Sequence, residues 1–113
     1  MMGVVEIGDS QFRSFNPRPA LYERGLTYNK QGAIFFACKN FFSLFNLKEQ
    51  HKFEVLLDEL CKHNKEWYMA CFEYLTGESS ARVICKDYNI SLRQLYYIID
   101  DFYLNFEYVK KVY

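Results

Sequence analysis

Residues 77–106 read GESSARVICKDYNISLRQLYYIIDDFYLNF, and this stretch decides the fold. Ser79 or Ser80 can cap a helix that runs to about Tyr88. Asn89 follows, and asparagine is the non-glycine residue that best tolerates a positive φ. Tyr88-Asn89-Ile90-Ser91 therefore predicts a short turn between two helices, with Ser91 capping the second. That second helix keeps Leu95, Ile98, Ile99, Phe102 and Phe106 on one stripe, the spacing of a face that must be buried.

Upstream, the same grammar repeats. Asn64 can cap a helix through Trp67, Met69, Ala70, Phe72 and Leu75, and Gly77 stands where a left-handed residue closes a helix. Asn46 with Glu49 three residues on makes a capping box, followed by Phe53, Leu56, Leu57 and Leu60 at helical spacing to about His63. From Ala33 to Phe45, Ile34, Ala37, Cys38, Phe41 and Phe45 share a stripe, with Phe35 and Phe42 beside it. So wide an apolar face suits a helix central in the core or paired with another subunit, although an apolar run alone does not exclude a strand. Residues 1–32 differ in texture. They hold both prolines and four of the five glycines, and they predict an irregular arm with a short strand at Val4 to Ile7. The expected fold class is all-α: an N-terminal arm over 1–32, then a small helical bundle over 33–113 with its two-helix unit at 79–106.

Composition fits a chain of one domain. Half of the 113 residues are hydrophobic, so the chain can bury a core, and 22 of them are aromatic (11 Phe, 10 Tyr, 1 Trp). Fourteen basic residues balance fourteen acidic ones, which excludes a strongly basic nucleic-acid coat and an acidic DNA mimic. The most apolar stretch, Ala33 to Leu47, is interrupted by Lys39, Asn40, Ser43 and Asn46 and falls short of the roughly 20 residues of a membrane span. MMGVVEIGDSQFR has no basic region before its apolar residues, so a signal peptide is not expected and a cytoplasmic location follows by default. Cys38, Cys61, Cys71 and Cys85 match no zinc pattern, even with His51 and His63 counted. They read as buried free thiols, with no metal or cofactor expected. There is no G-x-S-x-G, no phosphate-cradling glycine loop and no H-E-x-x-H, so no catalytic residue is expected.

Residues 64–106 resemble the helix-turn-helix of DNA-binding proteins, and loosely sigma-factor region four and phage-type transcriptional regulators. In that motif an apolar residue and a small one lie where the helices cross, filled here by Ile84-Cys85. Apolar residues flank the turn, here Tyr88 and Ile90 around Asn89, and two more on the second helix turn inward, here Leu95 and Ile98. The lead-in Leu75-Thr76-Gly77-Glu78-Ser79 resembles the sigma-type glycine turn, with one residue more before Ile84-Cys85.

The resemblance implies a small regulator of double-stranded DNA whose second helix enters the major groove by its first turns. Arg93 would pair with guanine and Gln94 with adenine, each worth about 1–3 kcal/mol of discrimination. Ser91, Tyr96 and Tyr97 would reach phosphates or a thymine methyl, and Arg82 and Lys86 the backbone. Tyr96 and Tyr97 also suit the core or a subunit contact. Arg13, Arg18 and Arg24 of the arm would add minor-groove or phosphate contacts. One short recognition helix gives little affinity alone, so a homodimer through the Phe-rich segment 33–45 is expected. The competing expectation is a protein-interaction module that uses the two-helix unit as a scaffold. Residues 77–113 carry five basic and five acidic side chains, and aromatic residues are enriched at interface centres.

Overall fold

The computed structural model describes residues 15–112, which contain seven α-helices and no strand. They are α1 (Pro19–Glu23), α2 (Tyr28–Lys39), α3 (Phe41–Leu44), α4 (Leu47–Leu60), α5 (Lys65–Thr76), α6 (Ala81–Asp87) and α7 (Leu92–Leu104), followed by a short 3₁₀ turn at Phe106–Tyr108. The all-α class is as the periodicity predicts. α5, α6 and α7 pack against one another, α4 lies on α5 and α7, and α2 covers α5.

The capping residues act as their chemistry dictates. Asn46 accepts from the Glu49 N–H and the Glu49 side chain accepts from the Asn46 N–H, a complete capping box. The side chains of Asn64, Ser80 and Ser91 accept from Trp67, Val83 and Gln94. Between the two helices over 81–104, the Ile90 N–H donates to the Tyr88 carbonyl at 2.8 Å, and the Trp67 indole donates to the Asn89 carbonyl at 3.2 Å.

Four expectations are corrected. First, Asn89 is not left-handed. The non-glycine residues with positive φ among the described ones are Lys62 (55°) and His63 (61°), after α4. The chain turns at Asn89 through the two-residue hydrogen bond of a γ-turn instead. Second, the Ala33–Phe45 helix breaks at Asn40, whose side chain donates to the Phe36 carbonyl while its backbone leaves helical angles (φ −111°, ψ 36°). Third, helix begins well before residue 33. Pro19 starts α1, Thr27 caps α2, and the buried Gln31 side chain fixes the chain before them. The strand expected at Val4 to Ile7 lies outside the described residues.

Fourth, Gly77 has φ −99°, which any residue adopts. Its glycine is required by proximity: an added Cβ would lie 2.8 Å from the Glu73 carbonyl oxygen. Gly77→Ala must shift backbone at the end of α5, with an expected cost of about 1–3 kcal/mol. A urea melt checks this, and a midpoint unchanged from the parent would refute it.

Buried Phe41, Phe45, Phe53, Phe102 and Phe106, with half-buried Phe72, form one continuous ring cluster at the centre. Two of the stripes read from the sequence are fully inside, Ile34, Ala37, Cys38, Phe41 and Phe45 and Leu95, Ile98, Ile99, Phe102 and Phe106, whereas Met69 of the α5 set is 52 % exposed. Cys38, Cys61 and Cys71 are buried free thiols and Cys85 is half-buried. The neighbouring Cys61 and burial push the Cys71 thiol up, away from reactivity.

Candidate nucleic-acid interface

α6 is held to α5 at both ends by one carboxylate. The Ser79 hydroxyl donates to Glu73 Oε2 at 2.8 Å and the Tyr88 hydroxyl donates to Glu73 Oε1 at 2.9 Å. The hydrogen bond to Glu73, with burial, pushes the Tyr88 phenol up. Ile84, Ile90, Leu95 and Ile98 are buried where the three helices meet. The first turns of α7 therefore project from a fixed base.

The structure leaves most of the sequence-derived residues exposed and engages others in packing. Arg82, Lys86, Ser91, Arg93 and Tyr97 are exposed and Gln94 is half-buried. Ser91, Arg93, Gln94 and Tyr97 line a shallow depression of about 260 Å³. Arg82 lines a separate one of about 400 Å³, together with Leu92, Tyr74 and Tyr96. Tyr97 is 67 % exposed, so it is no core residue in this chain. Ser91 Oγ is occupied as the α7 cap, which leaves it a positioning role at the helix start.

Tyr96 is half-buried, edge-on to Tyr74 with centroids 6.1 Å apart, and the Arg18 guanidinium lies 5.0 Å from its ring centre. It is packed inward, away from the face that Arg93 and Tyr97 share. The stripe Leu92, Tyr96, Ile99, Tyr103 of a 3.6-residue period explains this.

Arg18 is likewise engaged. Its guanidinium faces Asp100 of α7 at 2.9 Å through two nitrogens, Nη2 to Oδ2 and Nε beside Oδ1. Burial raises the Asp100 carboxyl above its usual range, with Asp101 adding to the effect and Arg18 and Arg24 opposing it. Arg18 is thus a structural cation that ties the N-terminal hook to α7. Arg24 is exposed at the other end of that hook, and Arg13 lies outside the described residues.

The wide apolar face expected around segment 33–45 is in part exposed. Phe42 is 77 % exposed and Leu47 is 83 % exposed, with Phe36 and Leu44 also outside. Phe42, Leu44 and Leu47 belong to Asn40–Leu47, an uncharged run of NFFSLFNL. Among the described residues, no group of His, Cys, Asp or Glu is placed to hold a metal ion, and no helix is long and apolar enough to cross a membrane. Comparison with protein-family models, with curated proteins and with solved structures finds no match to this chain.

Proposed function

We propose that the chain is a small DNA-binding regulator of the bacterial or phage type, with α6, the Tyr88–Ser91 turn and α7 as its helix-turn-helix. One observation carries the reading. α7 is buried by Leu95 and Ile98 and packs on α5 and α6, while Arg93, Gln94 and Tyr97 of its first turns line one shallow surface depression and Arg82 and Lys86 of α6 are exposed. Arg82, Lys86 and Arg93 form no ion pair with another described residue. Arg93 and Gln94 read base edges, Arg82 and Lys86 hold phosphates, and Tyr97 reaches a phosphate or a thymine methyl. A second copy joins through the exposed apolar side chains Phe36, Phe42, Leu44 and Leu47, on a chain of zero net charge, so that two copies do not repel strongly.

The test is selection of bound duplexes from a random pool at low salt, followed by titration of the recovered site. Arg93→Ala is expected to weaken the selected site by about 1–3 kcal/mol and to relax preference at one position. Lys86→Ala is expected to weaken all duplexes alike and to lower the salt slope by about 1. A pool that yields no bound duplex sinks the proposal.

The same exposed phenylalanines favour a second reading, an interaction module for another protein. A monomer in sedimentation that recovers one stoichiometric partner, insensitive to Arg93→Ala, favours that reading.

A further inference from the structure

At the end of α7 away from Arg93, a groove of about 390 Å³ runs between the hook and the C-terminal turn. Arg24, Leu26, Lys30, Tyr103, Glu107 and Tyr108 are among the residues that line it. We propose that this groove takes single-stranded nucleic acid, with bases stacked on tyrosine rings and phosphates on Arg24 and Lys30. The proposal uses none of the residues of the reading above and does not rest on it.

The lining combines two features that such a ligand needs. The first is cationic charge: Arg24 and Lys30 line the groove with Glu107 as its one carboxylate, and the exposed Lys111 adjoins lining residue Val112. Glu107 is held by Lys30 at 3.2 Å, with both side chains partly exposed. Such a surface pair is weak and yields readily to a phosphate. Lys52, outside the lining, sits 5.8 Å from the Tyr108 ring centre.

The second feature is accessible ring area. Tyr108 is 56 % exposed at one side of the groove. Half-buried Tyr103 of α7 lines the groove as well and supplies a second ring.

A duplex cannot use these rings, because its base faces are closed within the stack. An unpaired base offers one face to each tyrosine, whatever its identity. The proposed occupant is therefore a single strand bound with little sequence preference. An apolar peptide does not suit walls that carry Arg24, Lys30 and Asn105. The volume is in the range of small-ligand pockets, room for one or two nucleotides.

The experiment titrates the full chain into a fluorescently labelled short oligothymidylate at low salt and follows anisotropy. The expected result is binding that weakens steeply with added salt. Tyr108→Ala should weaken it by about 5- to 150-fold, one lost stacked base, and Tyr108→Phe should restore it, because a phenyl ring stacks equally well. Arg24→Ala should also weaken it, while Lys65→Ala, which removes the same charge at the exposed start of α5, should not. Tyr108 and Arg24 are exposed, and far-UV circular dichroism verifies that each variant is folded. Three results would overturn the proposal: no binding at low salt, equal loss in Arg24→Ala and Lys65→Ala, or a blunt duplex that competes as well as the single strand.

Discussion

Phe53→Ala should unfold at a markedly lower urea concentration than the parent chain, with a loss of about 3–5 kcal/mol. Phe53 is fully buried on α4, and its ring centre lies 4.7 Å from Phe41, 4.8 Å from Phe102, and 5.8 Å from both Phe45 and Phe72. Those partners come from α3, α5, α7 and the α3–α4 link, so this one ring sits where four parts of the fold converge. Truncation removes the transfer energy of the ring and leaves a void that rigid neighbours cannot close. It also removes edge-on ring contacts worth about 0.5–1.5 kcal/mol each beyond burial. A domain of this size has only about 5–15 kcal/mol in total, so the effect is a large fraction of the whole.

Two controls make the outcome specific. Phe53→Leu, which keeps most of the volume, should cost far less than the alanine variant. Phe42→Ala, at the exposed end of the same Phe-rich segment, should fall within about 0.5 kcal/mol of the parent if the chain is a monomer. A larger cost at Phe42 that grows with protein concentration would place that ring in the proposed homodimer. Melts followed by far-UV circular dichroism and by the single tryptophan supply the comparison. A Phe53→Ala midpoint close to the parent's would mean that the ring cluster is not the centre of the core.

What the sequence made legible was local. Asn46, Asn64, Ser80 and Ser91 cap because a short polar side chain before an apolar period has one good use, and each bond is present. The buried stripes follow from helical period alone. Competition was illegible. Asn40 lies in a strongly apolar run, yet its side chain offers the Phe36 carbonyl a second partner, and the helix bends there. Gly77 looked like a dihedral requirement and is a steric one.

Distance in sequence hid still more of the candidate site. Arg18 and Asp100 are 82 residues apart, so nothing local showed that one cation of the arm was taken and that Tyr96 lay beneath it. The groove at Tyr108 was equally invisible, because α1, α2 and the C-terminal turn meet only in the folded chain. Net neutrality of the whole chain concealed it as well: charge totals average over faces that packing then separates.

Gln31→Leu should release the hook over residues 15–26 while leaving the bundle folded. Gln31 is 1 % exposed, the one buried polar side chain among the described residues. Its Oε1 accepts from the Arg18 N–H at 2.8 Å, and its Nε2 donates to the Arg18 carbonyl at 3.1 Å and the Leu26 carbonyl at 2.9 Å. Leucine fills the volume and satisfies none of these groups, and each orphaned buried partner costs about 1–3 kcal/mol. The segment has an easier route than bearing that cost, because its backbone can reach water by lifting off. What resists lifting is the burial of Leu21, worth about 1.5–3 kcal/mol, and the partly exposed Arg18–Asp100 pair. These are comparable to the loss, so the hook should open and the rest should not. Hydrogen exchange is the suitable measurement: the Leu21, Tyr22 and Leu26 amides should lose protection, while those in the middle of α5 and α7 keep theirs. Gln31→Glu should be worse than leucine at neutral pH, since a carboxylate can accept from the Arg18 N–H but cannot donate to two carbonyls and buries a charge. Uniform loss of protection through α5 and α7 would mean that the hook is part of the core's cooperative unit. Unchanged protection in the hook would mean that the three hydrogen bonds do not hold it.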